Sequence, residues 1–203
     1  MTNGVYSEYE VREMGIKTEG AEGFATANCV GSSEEELDTK VVSKKCRGVV
    51  FKKTVKGAGT GKLKLSMHMP WDIYTDVYGM NLDTLIEGVK AYGKNSKHKN
   101  FACTQHVFDE DDVEKFKAYP NCIIETGVAR KIENGAEEVA EIELEVSLQP
   151  DDFGNCVYEA LADELKDETV KNKWMTAFEP SMVQLASAQG VTPDESQGIE
   201  AIQ

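Results

Sequence analysis

Three histidines (His68, His98, His106), five cysteines (Cys29, Cys46, Cys103, Cys122, Cys156), a glycine-rich run and an acidic run carry the side chains that could do chemistry. A metal site or an activated thiol needs His and Cys brought together, and close spacing is its local signature. Cys103 and His106 are three residues apart, a separation that puts them on opposite faces of a strand. The cysteines are dispersed, odd in number and never form a C-x-x-C pair. Free thiols packed as small core residues are therefore expected, rather than disulfides or a zinc site. The run Gly57-Ala58-Gly59-Thr60-Gly61-Lys62 fails as a phosphate loop, because Lys56 stands where the first glycine belongs and Leu63 where the hydroxyl belongs. It reads as a turn between strands. Asp109-Glu110-Asp111-Asp112 lacks the alternating ligands and mid-loop glycine of a calcium loop and reads as a solvated connection. The expectation is a protein that is not an enzyme and needs neither metal nor cofactor.

The patterning that remains is electrostatic. Between Ala140 and Leu148, Ala140, Ile142, Leu144, Val146 and Leu148 alternate with Glu141, Glu143, Glu145 and Ser147, the period of a strand with one apolar and one acidic face. From Val41 to Trp71 there is no acidic residue, while Lys44, Lys45, Arg47, Lys52, Lys53, Lys56, Lys62 and Lys64 are cationic. The formal net charge is −14, which opposes non-specific binding to nucleic acid or anionic membranes. Lys52, Lys53, Lys62 and Lys64 are candidates for charge-complementary contacts, either beside the glutamate face or across a subunit boundary.

The elements that must position these residues are mostly strands. Residues 1–20 read as a polar N-terminal arm or edge segment, 21–185 as the β-rich domain, and 186–203 as a flexible C-terminal extension. Strands are expected at about Gly23–Val30, Lys40–Cys46, Gly48–Val55, Gly61–Met69, Asn100–Phe108, Cys122–Ile132 and Glu138–Leu148. Gly31–Glu36 is expected to be a loop, and Gly57-Ala58-Gly59 a flexible turn. Asn134-Gly135 is a hairpin signal for the last pair. One central helix is expected from Asn81, with Leu82, Leu85, Ile86 and Val89 as its stripe and Gly93 as its stop. Val157, Leu161 and Leu165, then Val170, Trp174 and Phe178, suggest one or two short helices near the end. Trp71, Tyr74 and Tyr78 are expected as core or interface anchors. No run of about 18 apolar residues would make a spanning helix, and the N-terminus lacks a signal-peptide pattern, so synthesis and folding in a cytoplasm are expected.

Gly61–Met80 (GKLKLSMHMPWDIYTDVYGM), Ala140–Ala160 (AEIELEVSLQPDDFGNCVYEA) and Lys173–Ser181 (KWMTAFEPS), in this order, resemble the major tail tube proteins of long-tailed bacteriophages, particularly those of Gram-positive hosts. The resemblance implies a mainly β, sandwich- or barrel-like domain with one central helix, assembled as hexameric rings stacked into a tube. It implies a virion tail put together in the host cytoplasm, with tape measure, terminator and baseplate or tail-tip proteins as partners and no membrane contact. Double-stranded DNA would pass through without specific binding. Glu141, Glu143 and Glu145 are the lumen-lining candidates, since an acidic bore repels phosphate. Alternatives are the tube protein of a contractile injection or secretion machine, and a head–tail adaptor.

Overall fold

The computed structural model describes residues 7–185. Among them the chain is mainly antiparallel β-sheet with two short helices. The strands are β1 (Glu10–Thr18), β2 (Ala25–Thr26), β3 (Val30–Cys46), β4 (Val49–Met67), β5 (Phe101–Phe108), β6 (Glu114–Ile124), β7 (Ile142–Leu148) and β8 (Tyr158–Leu161). Helix α1 is Trp71–Val77, α2 is Glu168–Ala177, and a 3-10 turn follows at Pro180–Val183. The sheet order is β2-β1-β5-β6-β7-β4-β3, with β8 added to β6. The sheet curls so that the start of β3 returns across β5 and β6. Gln105 Nε2 donates to Ser33 Oγ at 3.0 Å, and the Tyr119 hydroxyl donates to Glu35 at 2.7 Å.

Burial follows the strand period. On β4, Leu63, Leu65 and Met67 are buried while Lys62 and Lys64 are exposed, and on β7, Leu144, Val146 and Leu148 are buried while Glu143 and Glu145 are exposed. These residues form one apolar cluster with Met14 and Ile16 of β1, Ile73, Tyr74 and Val77 of α1, and Tyr119, Cys122 and Ile124 of β6. A second cluster holds Phe116 and Ala118 of β6 beneath Val170, Trp174 and Phe178. The Trp174 indole N–H is satisfied by the Lys117 carbonyl at 3.2 Å. Asp167 caps α2, its Oδ1 accepting from the amides of Thr169 and Val170 at 2.9 and 3.2 Å.

Several expectations are corrected. The second half of the expected N-terminal arm is β1, paired with β5 along its length, because Met14 and Ile16 reach the core. Residues 1–6 and the expected tail 186–203 lie outside the described residues. The central helix is α1, ahead of the expected site. Gly88 at φ +85° interrupts the expected stripe, and Ile86 and Val89 stay exposed. The expected loop at Gly31–Glu36 is strand, and β3 and β4 join at Arg47-Gly48, whose positive φ values of 52° and 81° suit a two-residue turn matched to strand twist. Gly57–Gly61 is therefore no turn. It is a bulge inside β4, where Ala58, Gly59 and Thr60 oppose Asp38 alone. Asn134-Gly135 does turn, but β6 and β7 pair over only three rungs, Cys122↔Leu148 to Ile124↔Val146. Residues 125–141 between them form a long loop, since Ile132 and Val139 are exposed, with no buried face to hold a strand. Val157–Leu165 yields β8 rather than a helix, because β6 offers it a free edge.

Candidate assembly surfaces

Of the five cysteines expected as core residues, Cys103, Cys122 and Cys156 are buried, whereas Cys29 and Cys46 are exposed, Cys46 beside the turn of the hairpin. Cys103 is fully buried and burial pushes its thiol far up, away from nucleophilic character. His106 is sandwiched between Phe108 and Phe116, at 4.4 and 4.6 Å between ring centroids. His98 places Nδ1 2.6 Å from the Ile124 carbonyl and Nε2 3.0 Å from the Tyr92 hydroxyl. Among the described residues no group of three His, Cys, Asp or Glu could hold a metal ion, and no helix is long and apolar enough to cross a membrane.

The four candidate lysines separate into two environments. Lys62 and Lys64 stand on the outward face of the sheet body, where β4 lies between β3 and β7. Lys64 faces Glu34 on one side, with Nζ 3.2 Å from Oε2, and Glu145 on the other. Lys62 lies between Glu36 and Ser147 in the same register. Of the three glutamate candidates, Glu143 sits opposite Ser66, Glu145 opposite Lys64, and Glu141 precedes β7 and accepts from Ser66 Oγ. The outward face is therefore checkered, with the carboxylates of β3 and β7 flanking the lysines of β4.

Lys52 and Lys53 lie elsewhere. Beyond the bulge, residues 39–57 leave the sheet as a two-stranded ribbon on which Thr54 alone is even half-buried. Both of its faces mix apolar and cationic residues. Val41 lies opposite Val55 on one face, with Ser43 opposite Lys53 two rungs on. On the other face Lys40 lies opposite Lys56, Lys44 opposite Lys52 and Cys46 opposite Val49, and Phe51 is the extra residue of a second bulge between Val50 and Lys52. Phe51 is 76% exposed and Val49 70%. Directly opposed like charges destabilise a ribbon, and no acidic residue lies between Thr39 and Gly57 to offset them.

At the far end of β4 a cleft of about 670 Å³ opens between loop 125–141 and the sheet, with Glu133, Glu138, Glu141 and Glu143 in its wall. It adjoins a smaller apolar hollow of about 280 Å³ lined by Trp71, Tyr74 and Ile132. Arg130 roofs that hollow, its guanidinium 5.5 Å from the Trp71 ring centre and its Nε donating to the Tyr74 hydroxyl at 3.0 Å. Tyr74 and Tyr78 are core, whereas Trp71 is 57% exposed. The sequence offered no periodic signal for this cleft, because it is built by an irregular loop.

A third polar cluster lies under the N-terminal segment. Lys117, 3% exposed, has Nζ 3.2 Å from Glu8 and Glu35 and 3.3 Å from Glu159. Lys115 pairs with Glu8 at 2.8 Å and Glu159 at 3.1 Å. Burial alone would push the Lys117 ammonium down, but the three carboxylates outweigh it and hold its pKa above the usual value. Burial likewise works against the Glu8 carboxylate, and the hydrogen bond from Lys115 with the field of Lys117 more than reverses it, leaving Glu8 below its usual value. The cluster ties Glu8 to β6.

By its fold the chain is a mainly antiparallel β protein carrying an overhanging hairpin. No protein-family model matches the sequence, and no curated protein does. Among solved structures, a chain from the tube-terminating cap of the anti-feeding prophage is similar at a TM-score of 0.41 and 8% identity, over 80% of this chain and 100% of that one. A chain from the sheath–tube complex of the extracellular contractile injection system PVC, in its extended state, gives a TM-score of 0.44 and 10% identity, over 78% and 95%. A chain from the anti-feeding prophage baseplate gives 0.39 and 6%, over 79% and 97%.

Proposed function

We propose that this protein is a non-catalytic structural subunit that polymerises through its sheet edges and hairpin into a tail tube. The observation that carries the reading is the ribbon 39–57, which exposes apolar and cationic residues on both faces and is almost wholly uncovered by its own domain. A lone domain gains nothing from such a ribbon, and strand edges that endanger a monomer become joints in an assembly. The tail tube resemblance of Gly61–Met80, Ala140–Ala160 and Lys173–Ser181 supplies the finer picture. Six copies close a ring, rings stack, and a tape measure, a terminator and a baseplate set the length and ends of the tube in the virion. Assembly takes place in the host cytoplasm. Glu141, Glu143 and Glu145 then face a bore through which DNA slides, with Lys64 tempering the charge at Glu145. The proposal covers contractile and non-contractile tails alike.

Negative-stain electron microscopy with light scattering over a concentration series tests it. Rings or hollow tubes wide enough for a DNA duplex are expected. A particle that stays a monomer at every concentration, alone and with a tail-initiation complex, overturns the reading. Charge reversal at Glu143 and Glu145 is expected to leave tubes intact and slow DNA passage, whereas loss of tubes would place these residues in an interface.

A further inference from the structure

Loop 125–141 carries a reactive pair that the sheet lacks. Asn134-Gly135 forms an exposed turn in it, with Gly135 at φ +76° and nothing within 4 Å of where a Cβ would stand. Among the described residues, neither the Asn134 side chain nor the Gly135 amide takes part in a hydrogen bond. The other described asparagines are held. Asn28, Asn81, Asn100, Asn121 and Asn155 use their side-chain amides in hydrogen bonds of 2.9 to 3.3 Å. Asn172 lies inside α2, and behind Asn95 the Ser96 amide donates to the Gly93 carbonyl at 2.9 Å.

We infer that Asn134 is a site of spontaneous covalent modification, closing on the Gly135 backbone to a succinimide that water opens to aspartate or isoaspartate. The Gly135 nitrogen attacks Cγ of Asn134, a new N–C bond forms, and the Cγ–Nδ2 bond breaks as ammonia leaves. Water then adds at either ring carbonyl, so one water is consumed and one ammonia released with no change of oxidation state. Breaking the new bond restores the main chain and leaves aspartate. Breaking the original peptide bond instead routes the chain through Cγ as isoaspartate. Ring closure needs Cγ to reach the next amide nitrogen, which a free side chain and a glycine without Cβ allow. The hydrogen bonds at the other asparagines oppose that approach. The product adds one negative charge to a cleft wall that already holds Glu133, Glu138, Glu141 and Glu143 beside Arg130 and Lys131. The isoaspartyl form also lengthens the main chain of the turn by a methylene. The site acts within a single chain, whether or not the chain polymerises.

Incubating the full chain at mildly alkaline pH in heavy-oxygen water, followed by peptide mapping with mass spectrometry, tests the site. Among the described asparagines Asn134 is expected to convert first. Each event should take up one heavy oxygen and add one step of negative charge in isoelectric focusing. The rate should rise with pH, because the attacking amide must lose its proton. Gly135→Ala is expected to keep the fold, checked by circular dichroism, since its Cβ meets nothing within 4 Å. It should slow conversion roughly tenfold or more, because the backbone freedom of glycine is lost. Repeating the incubation in denaturant separates structure from sequence. Asn134 is expected to stay within about threefold of its folded rate, since an unrestrained loop costs little to open, while Asn95 and Asn155 accelerate. Three results overturn the site: another described asparagine converting as fast in the folded chain, an unchanged rate in Gly135→Ala, or a large gain at Asn134 on unfolding.

Discussion

β3 and β4 run through two regions that obey different rules. In the body, residues 61–67 of β4 lie between β3 and β7 and alternate strictly between buried Leu63, Leu65 and Met67 and exposed lysines. Past the bulge, the same two strands have no third partner and neither face is covered. The body is held by burial of apolar area and the ribbon by its cross-strand hydrogen bonds and the Arg47-Gly48 turn. Stability is thus concentrated in one region and unspent contact surface in the other, so the two should respond in opposite ways to substitution.

The strongest attempt to break this comparison removes the ribbon. Replacing residues 40–56 with a short turn is expected to abolish assembly in sedimentation and microscopy while the melting transition of the body persists. A body that unfolds with the ribbon gone would show that the regions are not separable. Leu63→Ala or Leu144→Ala, each opening a cavity beside fully buried neighbours, is expected to cost about 2–5 kcal/mol in urea denaturation. Asp167→Ala removes the cap of α2 and should cost ~1 kcal/mol by the same measurement, loosening the Trp174 cluster without touching the hairpin.

A smaller effect belongs to the N-terminal tether. Glu8 titrates below 4.5 in the folded chain, so its contribution is complete above that value and is lost as pH falls through the folded pKa. Lys117 titrates above 10.5, so its contribution is complete below that value and is lost as pH rises through its folded pKa. Hydrogen exchange at the Tyr9 amide, bonded to the Phe108 carbonyl at 2.9 Å, should be flat across neutral pH after correction for intrinsic rates and rise in acid. A steady drift through neutrality would assign the tether to other groups. The smallest expected effect is that of Phe51→Ala on stability, within about 0.5 kcal/mol, although it should weaken assembly measurably. A core-sized loss there would mean that Phe51 packs within its own chain.

The sequence made the body legible and hid the ribbon. Alternation in β7 and the inner half of β4 is read correctly because one face is buried and the period of two is unbroken. Where both faces are exposed, nothing filters residue type by side. The register shifts after Leu37 and Lys44 also break the period, so which residues stand across from one another appears only once the pairing is known. The glycine run misleads for a related reason, since glycine serves a bulge as well as a turn. Of the site residues, spacing left Lys62 and Lys64 either beside the glutamate face or across a subunit boundary, and the register sets Lys64 opposite Glu145 and Lys62 opposite Ser147. Ile132, Val139 and Arg130 were not foreseen, because a loop that folds by tertiary contact leaves no periodic trace.

The bulge has a mechanical consequence. Gly59, at φ +77°, runs so close to the Gly154 carbonyl that an added Cβ would stand 2.9 Å from it, and Thr60 donates to Asp38 at 2.8 Å. The wrist from which the ribbon departs is thus clamped to the turn that Asp151 ties together through the amides of Phe153 and Asn155. The heading of the ribbon is set by backbone fit instead of adjustable side chains. In a polymer joined end to end, that heading is copied at every step, so a small swing at Gly59 would compound from one copy to the next into a visible change of pitch or curvature.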